Sequence, residues 1–269
     1  MGTAIWDCCL YILHLLGLTL GTVAVCGLAV HVCAVLFARM IGGGSKAVFD
    51  VTAAVGTPVH ELGHAAMCVV FGHRIHKIKL WSPRAKNGVY GYVEHTYNRK
   101  NPWARLGNLL IAVGPIFSGL GVIVGMLWLC FPMQWTEYLT HSRELAETGN
   151  LWEIFCGVWS LLASIPRAFS ADWPRALLGL MVILPVSLHI SLSWQDVKSS
   201  LGALPIYAAL TAVFGIVTWS LHLHTTVTAA LTLFNVRILA LFFTVFAFSA
   251  VWVLIALPVC VIRKAKTWF

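Results

Sequence analysis

Two histidines four residues apart, His60 and His64, flank Glu61 in the stretch TPVHELGHAAM at 57–67. On an α-helix, residues i and i+4 share a face. The two imidazoles are therefore spaced to hold one zinc ion, with Glu61 beside a water on that ion. Such a metal lowers the pKa of its water toward neutrality, and a carboxylate can take the proton and pass it to a leaving amine. That is the chemistry of peptide-bond hydrolysis. The plainer alternative is a helix whose three polar groups bond to neighbouring helices. It requires all three to be satisfied within little more than one turn of an apolar segment.

A catalytic zinc takes three protein ligands, and HELGH supplies two. Asp196, in LHISLSWQDVKSS, is the first choice for the third. It follows a later apolar run and lies on the side toward which the HELGH helix also runs. His189, seven residues earlier, is the alternative. Glu94, Glu153 and Asp172 fall in expected loops. His222 and His224 form an HxH pair at the opposite predicted face, remote from HELGH. His14, His31, His73, His76, His95 and His141 are scattered and read as structural or solvated.

The elements that must position these groups are apolar. The chain of 269 residues is 59% hydrophobic and 10% charged, against about 25% charged in soluble domains. A polytopic membrane protein fits that composition. Apolar runs near 8–38, 49–72, 106–131, 175–195, 203–222 and 236–262 each approach the ~20 residues that span a bilayer. The first is too long for a signal-peptide core. LWEIFCGVWSLLASI at 151–165 is shorter and carries interface-suited Trp152 and Trp159, which suggests a re-entrant or surface helix. The eight cysteines form no CxxC pair and mostly sit in the apolar runs, so they read as small hydrophobes.

The net charge of +8 sits in the loops, which favours a membrane over nucleic acid. The loop at 73–105 and the tail (Arg263, Lys264, Lys266) are basic, whereas 132–173 is acidic. The positive-inside rule then places both termini in the cytoplasm. The expected location is a multi-pass integral membrane protein, with a lean toward a prokaryotic plasma membrane. Within the basic loop, RIHKIKLW (74–81) and VYGYVEHTY (89–97) flank the turn-like SPRAKNG, which predicts a β-hairpin. The expected fold class is thus an all-α polytopic membrane protein with about six transmembrane helices and a small hairpin after the HExxH helix. Its expected units are an N-terminal helix and glycine-rich linker (1–46), a metalloprotease core (47–200) and C-terminal helices (201–269).

The order of these pieces resembles the site-2 protease family of intramembrane zinc metalloproteases. The likeness runs from TPVHELGHAAMCVVFGHRI (57–75) through the hairpin to RKNPWARLGNLLIAVGPIFSG (99–119). There, VGPIFSG, with Gly114 and Pro115, is similar to the family's AGPxxN-like signature. It covers 49–131 well and 175–200 loosely. The resemblance implies a three-helix core, zinc on His60 and His64, Glu61 as general base, and an aspartate from a later helix as third ligand. The family usually carries that aspartate in an NPxxDG or PLDG-like motif. Here SLSWQD stands in its place, so Asp196 corresponds by position and residue type only. The implied substrate is a transmembrane helix of another membrane protein, unwound and presented along the hairpin edge as an added strand. Two other readings are a catalytically inactive scaffold of the same fold and a zinc transporter or sensor. No GxxxxGK[ST] nucleotide motif is present.

Overall fold

The computed structural model describes residues 2–83, 89–148, 150 and 152–266. Its helices are α1 (Gly2–Leu16), α2 (Thr22–Ile41), α3 (Ser45–Val70), α4 (Pro102–Cys130), α5 (Pro132–Thr148), α6 (Trp152–His189), α7 (Trp194–Ser200), α8 (Leu204–Ser220) and α9 (His224–Lys266). Strands β1 (Arg74–Lys79) and β2 (Tyr92–Thr96) form one antiparallel pair between α3 and α4. The chain is an all-α polytopic membrane fold with a small hairpin. Five helical stretches are long and apolar enough to cross a membrane: Ile5–Val70, Pro102–Cys130, Trp152–His189, Trp194–Ser220 and His224–Ile262. The first holds two of the six expected runs. Gly42, at φ 67°, breaks it, and α3 folds back so that Phe49 meets the Phe37 ring of α2.

The core that carries the site is α3, α4 and the second half of α6. Helices α3 and α4 run antiparallel and touch backbone to backbone. A Cβ on Gly63 would lie 2.6 Å from the Gly114 carbonyl oxygen, and one on Gly114 would lie 2.5 Å from that of Gly63. Small residues permit this approach between membrane helices, where packing and hydrogen bonds drive association. Ser118 Oγ, on α4, donates across to Val59 O at 2.8 Å. Helix α4 begins with Asn101 as N-cap, its side chain accepting from Trp103 N at 3.0 Å, and with Pro102 in the first turn. Buried Ile116, Ile123, Leu127, Phe131 and Ile183 fill the seam between α4 and α6.

Two expectations change. Residues 152–165 are not a separate re-entrant element. They form the first half of α6 and pack on α5, with Ile154 and Val158 buried against Tyr138; Leu151 lies outside the described residues. The kink falls at Asp172 (φ −153°, ψ 81°), whose Oδ1 accepts from Arg175 N at 3.2 Å and so caps the second half. Next, the run expected over 175–195 stops at His189. Ser193 starts the separate short α7 with a capping box that uses Asp196. In addition, the N-terminal helix pairs with the C-terminal helices. Tyr11 of α1 bonds Thr218 of α8 at 3.0 Å, and Phe37 of α2 stacks edge-on against Trp252 of α9.

The hairpin follows its prediction with shorter strands, and residues 84–88 of the expected turn lie outside the described residues. Its register runs Arg74↔Thr96, Ile75↔His95, Lys77↔Glu94, Ile78↔Val93 and Lys79↔Tyr92, with a bulge at His76. A bulge increases the local twist and re-aims side chains.

Candidate metal and active site

His60, Glu61 and His64 lie in the middle of α3, on the face turned to α4, α6 and α7. His60 Nδ1–H donates to the His189 carbonyl at 2.8 Å. His64 Nδ1–H donates to the Ile111 carbonyl at 2.7 Å. These bonds set both tautomers, leaving each Nε2 with its lone pair. The two Nε2 atoms lie 3.2 Å apart. Asp196 Oδ1 sits 3.3 Å from His64 Nε2. Its other oxygen, Oδ2, accepts from Ser193 N at 3.0 Å and from the Ser193 hydroxyl. The capping box thus holds one oxygen of Asp196 and leaves the other aimed at the histidines.

Three lone pairs therefore converge. A shared proton bridges two of them; a cation of charge two serves all three. With zinc–nitrogen and zinc–oxygen distances of about 2.0–2.1 Å, a tetrahedral site has edges of about 3.3 Å. The observed 3.2 and 3.3 Å match those edges.

His189, the sequence alternative for the third ligand, is placed otherwise. The Thr52 hydroxyl donates to Val48 O at 2.8 Å, so its oxygen accepts from His189 Nε2 at 2.9 Å. The His189 ring supports α3 and its carbonyl orients His60. Glu94 lies on β2, Glu153 bonds His141 at 3.2 Å, and Asp172 caps α6, all away from the site. Among the described residues, His222 and His224 join no metal-capable cluster.

Glu61 is buried, and nothing among the described residues hydrogen-bonds its carboxylate. It lines a cavity of about 800 Å³ shared with His60, His64, Asp196 and His189. One wall is α2, through His31, Ala34, Val35 and Ala38. Another is the segment entering β2, through Tyr90, Gly91, Tyr92 and His95. Gly91 rests directly on Glu61 and Thr57: a Cβ there would lie 2.7 Å from both Glu61 Cγ and Thr57 Cγ2. Tyr90 hydrogen-bonds Asp50, and burial together with that carboxylate pushes its phenol up to about 12. Burial, with His73 and His64 nearby, holds the His95 imidazole below its ordinary value.

Sequence reasoning missed Gly91, Tyr90 and the α2 wall with His31. Only Gly91 left a trace, as a glycine interrupting a strand-like run, which marks close backbone approach.

Comparison with protein-family models, curated proteins and solved structures finds no match to this chain.

Proposed function

We propose that this chain is an intramembrane zinc metalloendopeptidase, of the kind the site-2 protease family represents, which hydrolyses peptide bonds within or near membrane helices. The observation that carries the reading is the convergence of His60 Nε2, His64 Nε2 and Asp196 Oδ1 within 4.8 Å of one another, with the two distances to His64 Nε2 at tetrahedral edge length, beside a Glu61 carboxylate that no described residue hydrogen-bonds. Glu61 opens on the cavity beside them, and ionisable groups at membrane depth are expensive and retained for function.

In this reading His60, His64 and Asp196 hold the zinc. When bound, zinc supplies Lewis acidity, which acidifies water and polarises a carbonyl. Glu61 takes the proton from the attacking water and delivers it to the departing amine nitrogen. The carbonyls of His189 and Ile111 fix the two imidazoles, and Ser193 fixes Asp196. The cavity admits water and an unwound peptide segment. Gly91 brings the hairpin backbone to the reactive face, where an extended substrate gains main-chain hydrogen bonds. The face bearing the hairpin and its basic residues is the cytoplasmic one.

The test is zinc content of the chain purified in detergent. His60→Ala and Asp196→Ala each lower zinc by one equivalent per chain, while Glu61→Gln and His189→Ala keep it. Loss with His189→Ala but not Asp196→Ala would move the third ligand. No zinc in the wild type under metal-replete conditions would remove the enzyme reading and leave a scaffold.

A further inference from the structure

A second group of metal-binding side chains lies at the C-terminal end of α3, apart from the site above. Cys68, His73 and His95 present donor atoms that all lie within 4.8 Å of one another. Cys68 and His73 are buried and His95 is half-buried.

The local fold explains why they meet. Gly72, at φ 67°, ends α3 in a left-handed residue. Gly72 N donates to Val69 O at 3.2 Å and His73 N donates to Cys68 O at 2.8 Å. This is a Schellman motif, which brings the residue after the glycine back onto the last turn of the helix. That contact is commonly apolar; here a thiol and an imidazole occupy it. His73 Nε2–H donates to the Ala104 carbonyl at 2.8 Å, so its Nδ1 keeps a lone pair facing the cluster. A Cβ on Gly107 would lie 3.1 Å from His73 Nε2 and 2.4 Å from Phe71 Cβ, so α4 leaves room for this turn only with glycine there. Tyr97 stacks on the His73 ring at 4.8 Å and 18°. The hairpin delivers the third donor: His95 Nδ1 lies 3.0 Å from His73 Nδ1.

We infer that Cys68, His73 and His95 form a second zinc site, which fastens the β-hairpin to the end of α3. A thiolate with two imidazoles suits zinc among divalent metals. The three ligands leave a fourth position for water. The site binds helix α3 through Cys68, its cap through His73 and strand β2 through His95. It thereby sets the hairpin that rests on Glu61 at Gly91. This inference stands independently of the peptidase reading, because none of its ligands belongs to the HELGH cluster.

Cobalt substitution of the full-length chain in detergent distinguishes the two sites, since only the second contains sulfur. Cobalt-loaded wild type and His60→Ala show a thiolate-to-cobalt charge-transfer band, and Cys68→Ser and His95→Gln do not. Zinc per chain falls by one equivalent in Cys68→Ser and again by one on adding His60→Ala. Amide exchange of 74–79 and 92–96 slows on zinc addition in wild type but not in His95→Gln, whose change lies on the hairpin and leaves the helical core intact. A cobalt-loaded wild type without the thiolate band would overturn the inference and reduce the cluster to a His95–His73 hydrogen bond beside a buried thiol. Equal zinc in Cys68→Ser and wild type would do the same. Neither result touches the site at His60.

Discussion

The contact of α3 with α4 at Gly63 should govern zinc affinity although Gly63 touches no ligand atom. In Gly63→Ala, the new methyl lies 2.7 Å from the Gly114 carbonyl carbon and 2.5 Å from Ser118 Oγ. Carbon contacts relax at about 3.5–4.0 Å, so the helices part by about 1 Å. The bond from His64 Nδ1 to Ile111 O, 2.7 Å in the native chain, then opens. At about 3.6 Å it is no longer a hydrogen bond. Overpacking of this kind costs about 1–3 kcal/mol of stability. Losing the group that orients a metal-bound histidine costs about 10–100-fold in metal affinity. The assay is competition for zinc with a chromophoric chelator, in a Cys68→Ser background so that a single site reports. Gly121→Ala on α4 is the control, since a Cβ there meets nothing within 4 Å. Gly63→Ala should bind zinc about 10–100-fold more weakly, with Gly121→Ala unchanged. Native affinity in Gly63→Ala would refute the argument that backbone contact between the helices holds His64 in its tautomer.

Other substitutions separate the supporting parts. Ser193→Ala removes the cap that holds Asp196, costs about 1 kcal/mol and weakens zinc binding at the HELGH site by about 10–100-fold; chelator competition reads it. Thr52→Val removes the acceptor of His189 Nε2 and lowers thermal stability by about 1–3 kcal/mol, while zinc content stays at the native value. Gly91→Ala pushes the hairpin off Glu61 and Thr57, so proteolytic rate falls by about 100-fold with zinc retained; new amino termini released from a membrane-protein mixture give the rate. The Tyr90 phenol, at about 12 in the folded chain against an ordinary value of about 10, stays protonated where the unfolded chain has ionised. Its contribution to stability is complete below pH ~10 and is lost as pH rises through ~12. The ultraviolet titration of wild type minus Tyr90→Phe should therefore have its midpoint near the upper value; a midpoint near 10 would contradict the burial of Tyr90 together with its Asp50 contact.

The legible parts of this chain are those written locally. HELGH is a spacing on one helix, the strands are an alternation, and Asn101-Pro102 is a cap. Asp196 was reachable by residue type, because acidic residues near the ends of apolar runs are scarce. What anchors Asp196 was less visible. Ser193 and Asp196 read as the tail of a span, whereas they open a new short helix. The kink at Asp172 likewise hid inside an apolar pattern that continues on both sides. Long-range pairing was illegible: nothing in the apolar run of α2 says that Phe37 meets Trp252. The same holds for His73 and His95, which are far apart in sequence and were read as structural or solvated. The one local clue was Gly72 at the end of the HELGH run, a left-handed helix stop that returns His73 to Cys68.

Cleavage by wild type and Glu61→Gln should be compared on the same membrane-protein mixture, with zinc per chain measured on both. The proposal predicts equal zinc and a set of new amino termini in wild type that falls by about 10²–10⁴-fold in the variant. Equal cleavage by the two zinc-loaded proteins, or none by either, would contradict it.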